Sequence, residues 1–303
     1  MGGMMVAGLL QSLDEEVPPA AGLAIAVAAI STAAILVRLT TAPSSVAAFY
    51  RVLFTTLALL PVAVWKYRDD FARIGRRDVV FASLSGIALA VHFAAWFESL
   101  AWTSVAASVT LVQAQPVFVG IGAWLLLDER LSKRVVAGIF VAIVGIATLS
   151  IGDLVGGVLV GSNPLLGNTL ALIGAVMAAG YVIAGRSLRQ RISLVPYVVV
   201  VYTVCSAALF VIVLIQDAQL TGYAPREWLL FCGLALGPGL FGHTIVNWVL
   251  GHIESTIVSV SLLAEPIGST ILALVLLGES PTLFTVIGGV IVLFGIGLTA
   301  SSR

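Results

Sequence analysis

The sequence predicts an all-α membrane protein whose ten transmembrane helices form two inverted five-helix repeats. Three observations predict it. Apolar runs of bilayer length fill the chain, Lys and Arg collect in alternate loops, and the second half repeats the first at an offset of 150 positions.

Hydrophobic residues make up 60% of the chain and charged residues 10%, with a mean hydropathy of +1.11. Soluble domains carry about 25% charged residues, so this chain lacks the polar groups to cover itself in water. Lipid is the expected solvent. The net charge is zero, and no basic face interleaved with aromatic residues points to a nucleic-acid partner. Cys205 and Cys232 both lie in apolar stretches, which excludes a disulfide framework or a CxxC metal site. They read as small buried apolar residues.

Residues 1–19 are expected to form a cytoplasmic tail. Met4 to Leu10 is apolar but short, has no basic flank and runs into Asp14-Glu15-Glu16, unlike a signal peptide. A helix needs about 20 apolar residues to cross the hydrocarbon core. By that measure spans fall near 20–38, 45–65, 79–101, 104–126, 132–151, 165–187, 194–215, 227–249, 255–277 and 282–301. The eighth and ninth are the least regular, because Gly237-Pro238-Gly239 and the polar Gly251-His252-Ile253-Glu254 interrupt them. Connections between the others are short, so a single bundle without a soluble domain is expected.

Orientation follows from the basic residues. Lys66, Arg68, Arg73, Arg76 and Arg77 lie in the second loop, Arg130, Lys133 and Arg134 in the fourth, Arg186, Arg189 and Arg191 in the sixth, and Arg303 at the C-terminus. The opposite side holds Arg38 and Arg226. Both termini are therefore expected in the cytoplasm, with an even number of spans. The absence of a targeting sequence suits a prokaryotic inner membrane.

At the offset of 150, Pro116 meets Pro266, Glu129 meets Glu279, Gly138 meets Gly288, and Gly145-Ile146 meets Gly295-Ile296. Apolar coincidences are cheap in such a composition, but matched Pro and Glu are not. Five spans per half is an odd number, so the halves, 20–151 and 165–301, enter the membrane from opposite sides. Inverted repeats are a construction of secondary transporters, with the site between repeats near the midplane.

Residues 98–118 run from Glu98-Ser99-Leu100-Ala101-Trp102 through Gln113-Ala114-Gln115-Pro116. Leu125-Leu126-Leu127-Asp128-Glu129 and a glycine-spaced apolar helix follow. The second half carries Ala264-Glu265-Pro266, Leu277-Gly278-Glu279, Gly288 and Gly295. This pattern resembles the EamA type of the drug/metabolite transporter superfamily across nearly the whole chain. The resemblance implies ten helices in two inverted repeats. It also implies movement of small organic solutes, often amino acids or other metabolites, without ATP. Asp128 departs from the family's Leu-Gly-Glu turn, so a slightly altered turn is expected there.

Ionisable groups inside a span mark pathways or internal partners. His92 sits halfway along span three with Trp96 one turn on, sharing its face. Binding a carboxylate, passing a proton and bonding a backbone carbonyl all stay open to His92. Trp96 offers a flat wall to a substrate or to a packing neighbour. Gln113 and Gln115 precede Pro116 near mid-depth, and their alternate spacing on a helix predicts that only one faces the cavity. Glu265, the counterpart of Gln115, is the candidate for proton coupling. His243 and Asn247 share a face of span eight, and Tyr181 in span six, with Ser31 and Thr32 in span one, completes the candidate cavity. Arg51 and Glu98 match in depth on spans two and three, which predicts a buried ion pair serving as gate or structural tie. Family members often keep an arginine there. Glu129 and Glu279 are expected to cap the helices that follow them.

The expected partners are a small-molecule substrate, the lipid bilayer and, if transport is coupled, protons. The chain is expected to act as a monomer or a homodimer. No cofactor, metal or catalytic residue is expected. An intramembrane enzyme would need a constellation such as His-Glu-x-x-His, and a membrane sensor would need a reporting domain. Neither is in the sequence.

Overall fold

A computed structural model describes residues 17–127, 132–155 and 162–300 of the 303. Its regular structure is helical throughout the described residues. Seven stretches among these residues are long and apolar enough to cross a membrane, and Gln115–Leu126 and Val286–Gly295 are shorter apolar helices.

The helices follow the apolar runs. The chain opens with α1 (Pro19–Ser31) and α2 (Ala33–Leu39), separated at Thr32, whose hydroxyl donates to the Ala29 carbonyl at 2.7 Å. Next come α3 (Ser44–Lys66), the short α4 (Arg68–Ala72) and α5 (Arg76–Trp102). The next apolar stretch is split into α6 (Val105–Val112) and α7 (Gln115–Leu126), and α8 covers Lys133–Val155. After it run α9 (Pro164–Arg189) and α10 (Leu194–Ile215). Proline opens α1 and α9 at the first helical position, where its missing N–H costs nothing.

The irregular spans differ from expectation in an informative way. Gly237-Pro238-Gly239 does not break its span. Between α11 (Pro225–Leu234) and α12 (Ile245–Leu250), residues Ala235–Thr244 widen into π-helical geometry. Pro238 removes one donor and crowds the carbonyl a turn before it, and the wider turn absorbs that conflict. Carbonyls of the segment find outside donors: Thr55 Oγ1 donates to Ala235 at 3.0 Å and Arg51 Nη2 to Pro238 at 3.3 Å. Span nine consists of α13 (Ser255–Ser261), a 3₁₀ turn at Leu262–Ala264, α14 (Glu265–Leu272) and a π-helical turn at Ala273–Leu277. Gly278 ends it at φ +70°, a conformation that glycine adopts freely. The last helix, α15, runs Leu283–Ala300.

The helices around Pro116 and Pro266 break at matching places. Ala114 precedes Gln115-Pro116 with φ −68° and ψ −6°, and Ala264 precedes Glu265-Pro266 with φ −75° and ψ −15°. In each case proline sits in the first turn of the new helix, where an older helix could not have continued through it.

The main helix pairings each join one helix from before residue 156 to one from after it: α8 with α15, α5 with α9, α3 with α10, α1 with the π-helical segment, and α7 with α9. The α8–α15 crossing is reciprocal. A Cβ on Gly145 would lie 2.7 Å from the Gly288 carbonyl, and one on Gly295 would lie 2.6 Å from the Gly138 carbonyl. Small residues let membrane helices approach this closely, where packing rather than water drives association. Large apolar side chains such as Trp65, Leu126, Leu165 and Ile215 remain exposed on the periphery. In water so much apolar surface would demand a partner, and in a bilayer lipid meets it.

Candidate functional site

The two helix breaks and the π-helical segment surround one cavity. Its wall takes His92 and Trp96 from α5, Gln113 from the break before α7, and Gln115 from the start of α7. Tyr181 of α9, His243 of the π-helical segment and Glu265 of α14 complete the polar lining, with Ile30, Val112 and Leu262 among the apolar groups.

Gln113 and Gln115 both reach this cavity, contrary to the expectation from helical spacing. The chain leaves the helix at Gln113 and Ala114, so the rotation of about 100° per residue of a regular helix does not apply between them. Gln113 Nε2 donates to Glu265 Oε2. Glu265 is thus held across the cavity by a residue from the other half of the chain.

His92 Nδ1 lies 2.9 Å from the Gly174 carbonyl. A carbonyl only accepts, so Nδ1 carries the proton and, in the neutral ring, Nε2 is an acceptor. Trp96 stacks on His92 with ring centroids 5.8 Å apart and planes 21° from parallel. Asn247 stands one layer behind the lining. It is fully buried, and its Nδ2 donates to the Tyr181 hydroxyl and, at 2.7 Å, to the His243 carbonyl. Its placement makes it a positioning residue for Tyr181 and His243.

Several buried polar atoms around the cavity have no partner among the described residues: Trp96 Nε1, Gln113 Oε1, His243 Nδ1 and Glu265 Oε1. Leaving such a group unpaired costs about 1–3 kcal/mol. Four in one place therefore mark a site that a polar ligand or water completes.

Arg51 and Glu98 do not form the expected ion pair. Arg51 is 1% exposed, and its guanidinium lies 4.3 Å from the centroid of the Phe93 ring and 5.5 Å from that of Phe97. Glu98 instead accepts from the Ser44 hydroxyl and, at 2.9 Å, from Trp102 Nε1. The two residues match in depth, but Glu98 sits about 140° around α5 from Phe93. Depth alone does not set direction.

Glu279 also departs from expectation. It does not cap the helix that follows it: its Oε1 lies 3.2 Å from Arg38 Nη2, and its Oε2 accepts from the Val105 backbone N–H at 3.4 Å. It therefore closes the start of α6, in the other half of the chain. The Asp128-Glu129 turn lies outside the described residues. Ser31 donates to the Val27 carbonyl at 2.9 Å and, in the other half of the chain, to the Glu265 carbonyl at 3.4 Å, while Thr32 donates to Ala29.

Tyr202 is a neighbour of the site that sequence reasoning passed over. Its hydroxyl lies 3.3 Å from Thr244 Oγ1 and 3.4 Å from Asn247 Nδ2. The available signal was a set of tyrosines, Tyr197 and Tyr202, in an otherwise strongly apolar span. No cluster of metal-binding side chains occurs among the described residues.

A protein of Archaeoglobus fulgidus described as an uncharacterized transporter is 27% identical over 266 residues, covering 84% of this chain and 87% of its own. A Clostridium kluyveri protein with the same description is 24% identical over 263 residues, covering 83% and 81%. A solved crystal structure superposes with a TM-score of 0.70 over 91% of this chain and 94% of its own, at 20% identity, a likeness of fold alone. The model of the EamA-like transporter family matches residues 20–151 and again residues 165–301. With most of its length matched, the chain belongs to the EamA-like transporter family, part of the drug/metabolite transporter superfamily.

Proposed function

We propose that this membrane transporter is a secondary transporter that exports small organic metabolites, amino acids or related solutes, by alternating access. Its ten helices form two inverted five-helix repeats, 20–151 and 165–301, in a prokaryotic inner membrane with both termini cytoplasmic. The observation that carries the reading is the cavity itself. Both halves build it, and the Gln113–Glu265 bond crosses it. A central site shared between halves is what rocking of one half against the other can expose to each side in turn. The reciprocal contacts of Gly145 and Gly295 support an axis relating the halves.

Bonds between the halves lie on both sides of the cavity, as an occluded state requires. On the side assigned to the exterior, Arg38 pairs with Glu279, and Thr41 Oγ1 donates to Glu227 Oε1 at 3.1 Å. On the side assigned to the cytoplasm, Arg191 pairs with Asp78 at 2.8 Å and Ser193 Oγ donates to Asp70 at 2.8 Å. Opening either side breaks one set and keeps the other.

Glu265 and His92 are the groups we assign to proton counterflow. The test is efflux from liposomes holding the purified protein, preloaded in turn with labelled amino acids, nucleosides and organic cations, with and without a pH gradient. Saturable, protein-dependent flux of one class is expected, steeper with the gradient imposed. Flux that is linear in concentration and equal in empty liposomes would end the transport reading. Unchanged pH dependence in Glu265→Gln and His92→Gln would end the coupling.

A further inference from the structure

Beside the main cavity, on the far side of His243, lies a smaller void. Arg51, Thr55, Phe93 and Tyr202 line it, and His243 borders both spaces. Arg51 is the cation in this wall. Its Nη2 makes one bond, to the Pro238 carbonyl at 3.3 Å, while Nη1 is buried and has no partner among the described residues. His243 Nδ1 is likewise buried and unpartnered.

A buried guanidinium normally has a carboxylate against it, because desolvating a charge is costly unless it is paired. Here the carboxyl expected to supply that partner, Glu98, is turned away to Ser44 and Trp102. Glu265 does not supply the partner either: no ion pair joins it to Arg51, and its Oε2 accepts from Gln113. The Phe93 and Phe97 rings contribute cation–π attraction, which acts on the guanidinium face and leaves the Nη1 donors unused.

We propose that Arg51 forms an anion subsite in which the carboxylate of the transported solute docks, receiving Arg51 Nη1 and facing His243 across the smaller void. The assignment rests on the transporter reading and deepens it by naming the chemistry of one end of the solute. A planar monoanion suits a single guanidinium edge. A phosphate dianion would lack a second cation in this wall. At the other end Glu265 Oε1 and Gln113 Oε1 are unpartnered acceptors. They select an N–H or O–H donor there and repel a second acidic group. The substrate class is therefore a small organic acid carrying a donor group on its body, lying along the His243 side of the cavity.

The experiment uses the purified full-length chain in detergent and matched pairs of probes: benzoate with benzamide, valerate with valeramide, and leucine with leucinamide. Ligand-induced shift of the unfolding temperature gives the affinity of each. At least one acid is expected to bind about tenfold more tightly than its own amide, and Arg51→Gln to erase that preference. A panel in which no acid exceeds its amide overturns the subsite, as does a preference that survives in folded Arg51→Gln. Should Arg51→Gln not fold, Arg51→Met removes the charge and keeps an unbranched stem, and a preference that survives there overturns the proposal equally.

The same pairs read as liposome flux separate the two claims. Equal flux of acids and amides leaves transport standing and removes the subsite. An acid preference in binding without flux of any solute leaves the subsite and removes transport.

Discussion

Gln113 and Glu265, 152 positions apart in the chain, meet across the central cavity, with Gln113 Nε2 donating to Glu265 Oε2. Both sit at helix breaks that precede a proline. The break frees each side chain from its helix face, so that one amide and one carboxyl converge where two straight helices would have carried them past each other.

That bond sets the first prediction. Gln113→Ala leaves Glu265 buried without its donor, which costs about 1–3 kcal/mol. Initial flux in liposomes is expected to fall at least tenfold for Gln113→Ala and for Glu265→Ala. The double variant should be no worse than the poorer single one. Additive losses would show that the two side chains act separately.

Gly145 and Gly295 should respond alike to substitution. Each would place a Cβ under 3.0 Å from backbone of the opposing helix, and overpacking of this kind costs about 1–3 kcal/mol. Gly145→Ala and Gly295→Ala are expected to lower the unfolding temperature by similar amounts. A Cβ on Gly289 or Gly297 would meet nothing within 4 Å, so alanine there should be neutral or slightly stabilising, since glycine inside a helix costs about 0.5–1 kcal/mol.

Arg38 and Glu279 offer a test of the outer closure. Their side chains are 26% and 24% exposed, so the pair itself should contribute no more than about 1 kcal/mol. Glu279→Gln also weakens the cap on Val105. We expect little change in unfolding temperature but faster labelling of a cysteine placed at Ala178 in the cavity wall, read with a membrane-impermeant maleimide from outside. Unchanged labelling would remove this pair from the gate.

Orientation can be checked on a background in which Cys205 and Cys232 are replaced by Ala. Arg73→Cys is expected to react with impermeant maleimide only in inside-out vesicles, and Thr221→Cys only in intact cells. The reverse pattern would invert the assigned topology.

Much of the fold was legible along the chain. Apolar runs of bilayer length give the helices nearly to their ends, and the prolines at 116 and 266 mark where spans four and nine break. Gly237-Pro238-Gly239 was legible as an irregularity, though not as a π-helical one, because whether the chain breaks or widens depends on donors such as Thr55 and Arg51 arriving from α3. The candidate cavity residues were legible because a polar group in a span has few reasons to be there.

By itself the sequence determined that this chain lives in lipid, roughly where its apolar helices run, and which polar residues lie within them. These are local matters of hydropathy, proline and glycine, and they need no knowledge of neighbours. Only the tertiary structure decided which of those residues face one another. Depth along a helix follows from residue number, but direction around it depends on every break and widened turn, and partners come from helices distant in the chain. Hence Arg51 turns from Glu98 toward Phe93 and His243, Glu279 reaches Arg38 and Val105, and Gln113 finds Glu265.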